Sequence, residues 1–136
     1  MKRIAFVAAA LALMAVVVPA QAAKHKCVAH AVSYEVSGTL ASTGSLTANS
    51  DRSYSGTLTV HVTRANQHAK ADKGTTKTYT LDHAKVTFGN GVDKSAPAAG
   101  SRVNLKGTIT TLSKKCAGPF TPTITIKKAE IHTAHK

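Results

Sequence analysis

Beyond an apolar amino-terminal segment, polar and apolar residues alternate along this chain with a period of two, and no window repeats at the 3.6-residue spacing of an amphipathic helix. Val28, His30, Val32, Tyr34 and Val36 share one face, with Ala29, Ala31, Ser33, Glu35 and Ser37 on the other. Gly38 then interrupts, and Leu40 resumes the apolar face. That pattern predicts a long strand bent at its glycine. Tyr54, Leu58, Val60 and Val62 alternate with Ser55, Thr57, Thr59, His61 and Thr63 in a second strand. Strand character returns over residues 78–81 and 85–88, broken at Asp82-His83-Ala84, where the apolar phase shifts. Val103, Leu105, Gly107 and Ile109 mark a fourth strand, and Ile124, Ile126 and Ile131 carry a last one over residues 123–131. Residues 42–52, 92–100 and 113–122 read as loops from their Ser, Asn, Gly and Pro content, and residues 132–136 as a frayed tail.

Five principal strands, two with interior glycines, and a long connection before the fourth fit a small, partly open Greek-key barrel of the OB type. An immunoglobulin-like sandwich is the alternative. It calls for about seven strands and commonly a core tryptophan, and this chain contains no tryptophan.

The amino-terminal segment changes the setting of that fold. Lys2 and Arg3 precede an uninterrupted apolar run of fifteen residues, Ile4 to Val18, and Pro19 leads into Ala20-Gln21-Ala22. This is the form of an export signal cleaved after Ala22. The run is shorter than the about 20 residues a membrane span needs. Residues 23–136 then form one domain, with its folded core over about residues 27–131 and no membrane span. The expected location is outside the cytoplasm: secreted, cell-wall-associated or periplasmic. In that oxidising setting the only two cysteines, Cys27 and Cys116, read as one disulfide. Cys27 precedes strand one and Cys116 follows strand four. In an OB-type barrel these strands are antiparallel neighbours, which brings the two ends together.

Two stretches add a resemblance. Residues 56–66 (GTLTVHVTRAN) precede a basic segment and then Thr78-Tyr79-Thr80-Leu81, and residues 99–107 (AGSRVNLKG) open the fourth strand. Together they resemble small exported bacterial domains of unknown function that have an OB-like barrel, over roughly residues 32–131. This chain departs from them in its cysteine pair and in a weakened acidic turn, here Ala98-Ala99-Gly100-Ser101. The resemblance implies the fold and carries no catalytic or ligand residue.

Charge and chemistry narrow the function classes. After loss of Lys2 and Arg3, sixteen basic residues face six acidic ones, a formal charge of +10. Such an excess favours anionic neighbours. The acids Glu35, Asp51, Asp72, Asp82, Asp93 and Glu130 are scattered without paired spacing. No G-x-S-x-G elbow or phosphate-cradling glycine loop occurs, so no enzyme is expected. Among seven histidines, His132 and His135 are the weak candidates for a metal, and no cofactor is expected. Tyr34 and Tyr54 fall on the apolar face and read as core, leaving few aromatics on which to stack bases. Together with export, this argues against a specific nucleic-acid partner. Two basic loops remain. Arg64, His68, Lys70, Lys73 and Lys77 lie in one, and Lys114, Lys115 and Phe120 in the other. They are the candidate contacts of a non-enzymatic module that binds an anionic envelope or extracellular partner. The competing readings are a structural accessory protein without a small ligand and, behind it, an exported metal-binding protein.

Overall fold

Strands form where the alternation is cleanest, and the computed structural model describes residues 27–116 and 118–135. The export signal read over residues 1–22 lies outside them. The elements are β1 (His30–Leu40), β2 (Ser45–Ala48), β3 (Tyr54–Ala65), a short 3-10 helix (Gln67–Asp72), β4 (Thr76–Phe88), β5 (Arg102–Thr111) and β6 (Ile124–His132). Strands β1, β5, β6, β4 and β3 follow one another round a ring that closes where β3 pairs again with β1. All pairs are antiparallel except β4 with β6. This is the five-stranded OB-like Greek-key barrel. One closed ring, rather than two stacked sheets, excludes the sandwich.

Closing so small a ring requires sharp bends. At Gly38 the register between β1 and β3 slips by one residue, and a Cβ there would overlap the His61 carbonyl oxygen. Gly107 plays the same part between β5 and β6, where a Cβ would overlap the Thr125 carbonyl oxygen. Both interior glycines therefore mark places where neighbouring backbones meet too closely for any side chain.

The barrel interior takes the inward set of each strand: Tyr34, Val36 and Leu40; Leu58, Val60 and Val62; Tyr79 and Leu81; Val103 and Leu105; Ile126 and Ile131. The inward run of β1 starts at Tyr34. Val28, which the alternation places on the same face, precedes the strand and is 71% exposed. Tyr54 is half-buried, packed edge-on against Phe88 with ring centroids 5.1 Å apart.

Three sequence assignments change. The loop over residues 42–52 contains β2, which pairs with β3 from Ser45↔Thr57 to Ala48↔Tyr54. A four-residue strand burying one apolar side chain, Leu46, is too short to show a period. Its outer edge is covered by residues 93–97, through Leu46 N–H to Ser95 O at 2.8 Å and Gly44 N–H to Pro97 O at 2.8 Å. The Asp93 carboxylate holds that covering turn by accepting from Ser95 and Ala96, and the same bonds push its pKa down. Secondly, Asp82-His83-Ala84 is a kink inside the continuous strand β4, with His83 at φ 49°. The phase shift seen in sequence is that irregularity. Thirdly, His132 belongs to β6, opposite Arg102, and not to the tail.

The cysteines meet as the topology requires. His30 pairs with Thr111, so β1 starts where β5 ends, and the Cys27–Cys116 disulfide bridges them with a Cα separation of 5.7 Å. Among the described residues no helix is long and apolar enough to cross a membrane.

Candidate functional site

Of the basic segment over residues 64–77, Arg64 lies in β3 and Lys77 in β4 rather than in a loop, and the residues between the two strands stopper one end of the barrel. Asn66 starts the 3-10 helix by accepting from Ala69 N–H, while its amide donates to Ser33 O at 2.9 Å and its own N–H reaches Glu35 O. Ala69 is thereby pressed into the core at 1% exposure. The helix then aims Asp72 inward. Tyr34 donates its phenolic proton to Asp72 Oδ2 at 2.6 Å and lies 2.8 Å from the Tyr79 hydroxyl, while Lys77 Nζ closes on Asp72 Oδ1 at 3.1 Å. Burial, followed by the Asp72 and Tyr79 contacts, raises the Tyr34 pKa well beyond the usual tyrosine range, and burial also raises that of Tyr79. The neutral phenols and the Lys77–Asp72 pair thus form a clamp between stopper and wall. Lys77 is committed to that clamp, whereas His68, Lys70 and Lys73 are exposed around it.

A different set of residues builds a depression on the barrel surface. It is an open groove of about 400 Å³ on the outer wall where β1 bends, lined by Ser37, Gly38, Thr39, Thr63, Arg64, Arg102, Val103, Asn104 and His132. The strand register assembles it. Ser37 lies opposite Arg64 on β3 and opposite Asn104 on β5, Thr39 lies opposite Arg102, and Arg102 lies opposite His132. Because Gly38 points inward, Ser37 and Thr39 on either side of it point out. Gly89, which lacks a side chain, leaves room for the His132 ring beside it.

The lining contains two guanidinium groups, an imidazole, three hydroxyls and an amide, and no carboxylate. Among the described residues, neither Arg64 nor Arg102 forms an ion pair or a side-chain hydrogen bond. A planar fork of donors without an internal partner is suited to an oxyanion, which it can hold in a bidentate manner. The Thr39 hydroxyl and the Asn104 amide nitrogen supply further donors, while Ser37 donates to Asn104 Oδ1 at 3.4 Å and Thr63 to Ser37 O at 3.2 Å.

Of the residues singled out in sequence, Arg64 and His132 come together here, and Arg102 joins them. Arg102 carries no signal in the sequence because it is one basic residue in an alternating strand. Its partners are set by pairing to β1 and β6, which no local spacing records. The second basic loop, with Lys114, Lys115 and Phe120, lies exposed at the stoppered end of the barrel, beyond the end of β5 and the start of β6. His135 is exposed past β6, and no cluster of three or more His, Cys, Asp or Glu side chains arranged to hold a metal occurs among the described residues. Comparison of the chain with known protein families, curated proteins and solved structures gives no match.

Proposed function

We propose that this protein is an exported, non-enzymatic binding module that grips an anionic envelope or extracellular partner through the Arg64–Arg102 groove. The observation that carries this reading is a groove in which two unpaired guanidiniums and His132 face solvent with no acid in the lining. Unpaired arginines held on rigid strands are pre-organised for an oxyanion, so little order is lost on binding. The overall positive charge adds long-range attraction and speeds encounter. The lysines at the stoppered end contribute to that field, while the groove supplies directional contacts.

The test is binding of isolated envelope polymer to the wild-type protein and to Arg64→Glu/Arg102→Glu. Wild-type binding weakens steeply between about 50 and about 500 mM salt, as exposed charge contacts do. The double variant loses it. Wild-type binding that ignores salt, or a double variant that binds as well as wild type, contradicts the proposal.

A further inference from the structure

The groove continues into a second basic feature on the same outer wall. Lys106 on β5 lies opposite Lys128 on β6, and Lys128 lies opposite Lys85 on β4. Three exposed lysines therefore stand side by side across three strands, about 4.8 Å apart at the backbone. Like charges directly opposite one another lower the stability of a sheet. Lys106 also stands four residues along β5 from Arg102, on the same face, a distance of about 13 Å. Asn104 lies between them, so the path along β5 reads Arg102, Asn104, Lys106 without an acid.

The acids near this path limit its route. Glu35 sits beside Lys106, with its carboxylate 3.5 Å from the ammonium. Glu130 lies opposite Asn104 on β6, between Lys128 and His132. An anion crossing directly from His132 to Lys128 would pass over Glu130, whereas along β5 it has Asn104 beneath it and passes beside Glu130 and Glu35.

We infer that the groove and the lysine row form one continuous track for a linear, phosphate-bearing polymer, bound along β5 from Arg64 and Arg102 to Lys106, Lys128 and Lys85. This rests on the proposed function and adds the length and chemistry of the ligand. A single small oxyanion fills only the groove, whereas a chain spanning about 13 Å engages both features. Phosphate is favoured because two guanidinium forks, with the Thr39 hydroxyl and the Asn104 amide beside them, offer more donors than the two oxygens of one carboxylate accept. No aromatic residue lines the groove, so contact is with the charged backbone of the polymer.

The experiment compares calorimetric binding of tripolyphosphate, long-chain polyphosphate and polyglutamate of matched charge. Wild type binds long-chain polyphosphate more tightly than either of the others. Lys85→Thr/Lys106→Thr/Lys128→Thr weakens long-chain binding about tenfold, since each exposed ion pair adds at most a few-fold, and leaves tripolyphosphate unchanged. Relief of the lysine row also raises the Tm of that variant. Glu130→Gln, which does not depend on the triple variant folding, tightens long-chain binding.

If both phosphates bind and the triple variant matches wild type, the track is overturned while the groove stands. If wild type binds none of the three polyanions, the proposed function falls with it. Equal affinity for polyglutamate overturns the assignment to phosphate.

Discussion

Replacing Tyr34 by phenylalanine removes one hydroxyl from the centre of the clamp and leaves its volume almost unchanged. The Asp72 carboxylate then loses its 2.6 Å donor, and the Tyr79 hydroxyl loses its 2.8 Å neighbour. A hydrogen bond to a charged group contributes about 1.5–3 kcal/mol, so Tyr34→Phe should lower stability near pH 7 by about that amount. The pH dependence gives the sharper test. Burial, then Asp72 and Tyr79, raise the pKa of Tyr34 above its usual value of 10.0, so the folded protein holds this proton more tightly than the unfolded chain does. Its contribution is complete below about pH 10 and is lost as pH rises beyond that, by about 1.4 kcal/mol per pH unit. Tyr79, raised chiefly by burial, adds a loss of the same sign. Urea unfolding followed by circular dichroism from pH 7 to pH 11, with the disulfide intact, measures both effects. The Tyr34→Phe curve should start lower and fall less steeply above about pH 10, narrowing the gap by about 1.4 kcal/mol per unit. Parallel curves across this range, or equal stability at pH 7, would refute the clamp.

Three further outcomes follow from the fold. Reducing the Cys27–Cys116 bridge, which links residues 89 apart, should cost about 4–5 kcal/mol in the chain-entropy model, seen as a Tm lower by roughly 15 °C in thermal melts with reductant. Gly38→Ala should destabilise by more than about 2 kcal/mol in urea titration, because its Cβ meets the His61 carbonyl at the closing seam of the barrel. His83 Nδ1–H donates to the Asp82 carboxylate at 2.7 Å, and that hydrogen bond and charge raise its pKa above 6.5. An NMR titration should place it there, and Asp82→Asn should bring it down.

Much of the barrel is legible in the sequence because its strands are long and their inner faces apolar. Tyr34, Val36 and Leu40, or Leu58, Val60 and Val62, announce both strand and core by phase alone. Gly38 and Gly107 announce bends for the same reason, since a glycine inside such a run has little use except close approach. What stays hidden depends on pairing. Strand β2 is held by its partners on either side and by one buried leucine. Residues 64–77 look like a ligand-seeking basic loop, yet Asn66, Ala69 and Asp72 turn them into a stopper. These three are ordinary residues until their partners Ser33, the core and Tyr34 arrive from β1. The groove is hidden in the same way. Arg64, Arg102 and His132 come from three strands, and only the register across the bent β1 and β5 sets them side by side.

The claim that the groove, and not diffuse basic charge, holds the partner is tested most directly by pairing two charge reversals of equal size. Arg64→Glu/Arg102→Glu alters the groove; Lys70→Glu/Lys73→Glu alters exposed lysines around the stopper. Both change the net charge by the same amount, so any difference between them reports on location. Binding of isolated envelope polymer at about 100 mM salt should vanish in the groove variant and weaken only modestly in the lysine variant. Equal loss in both, or greater loss in the lysine variant, would contradict the account.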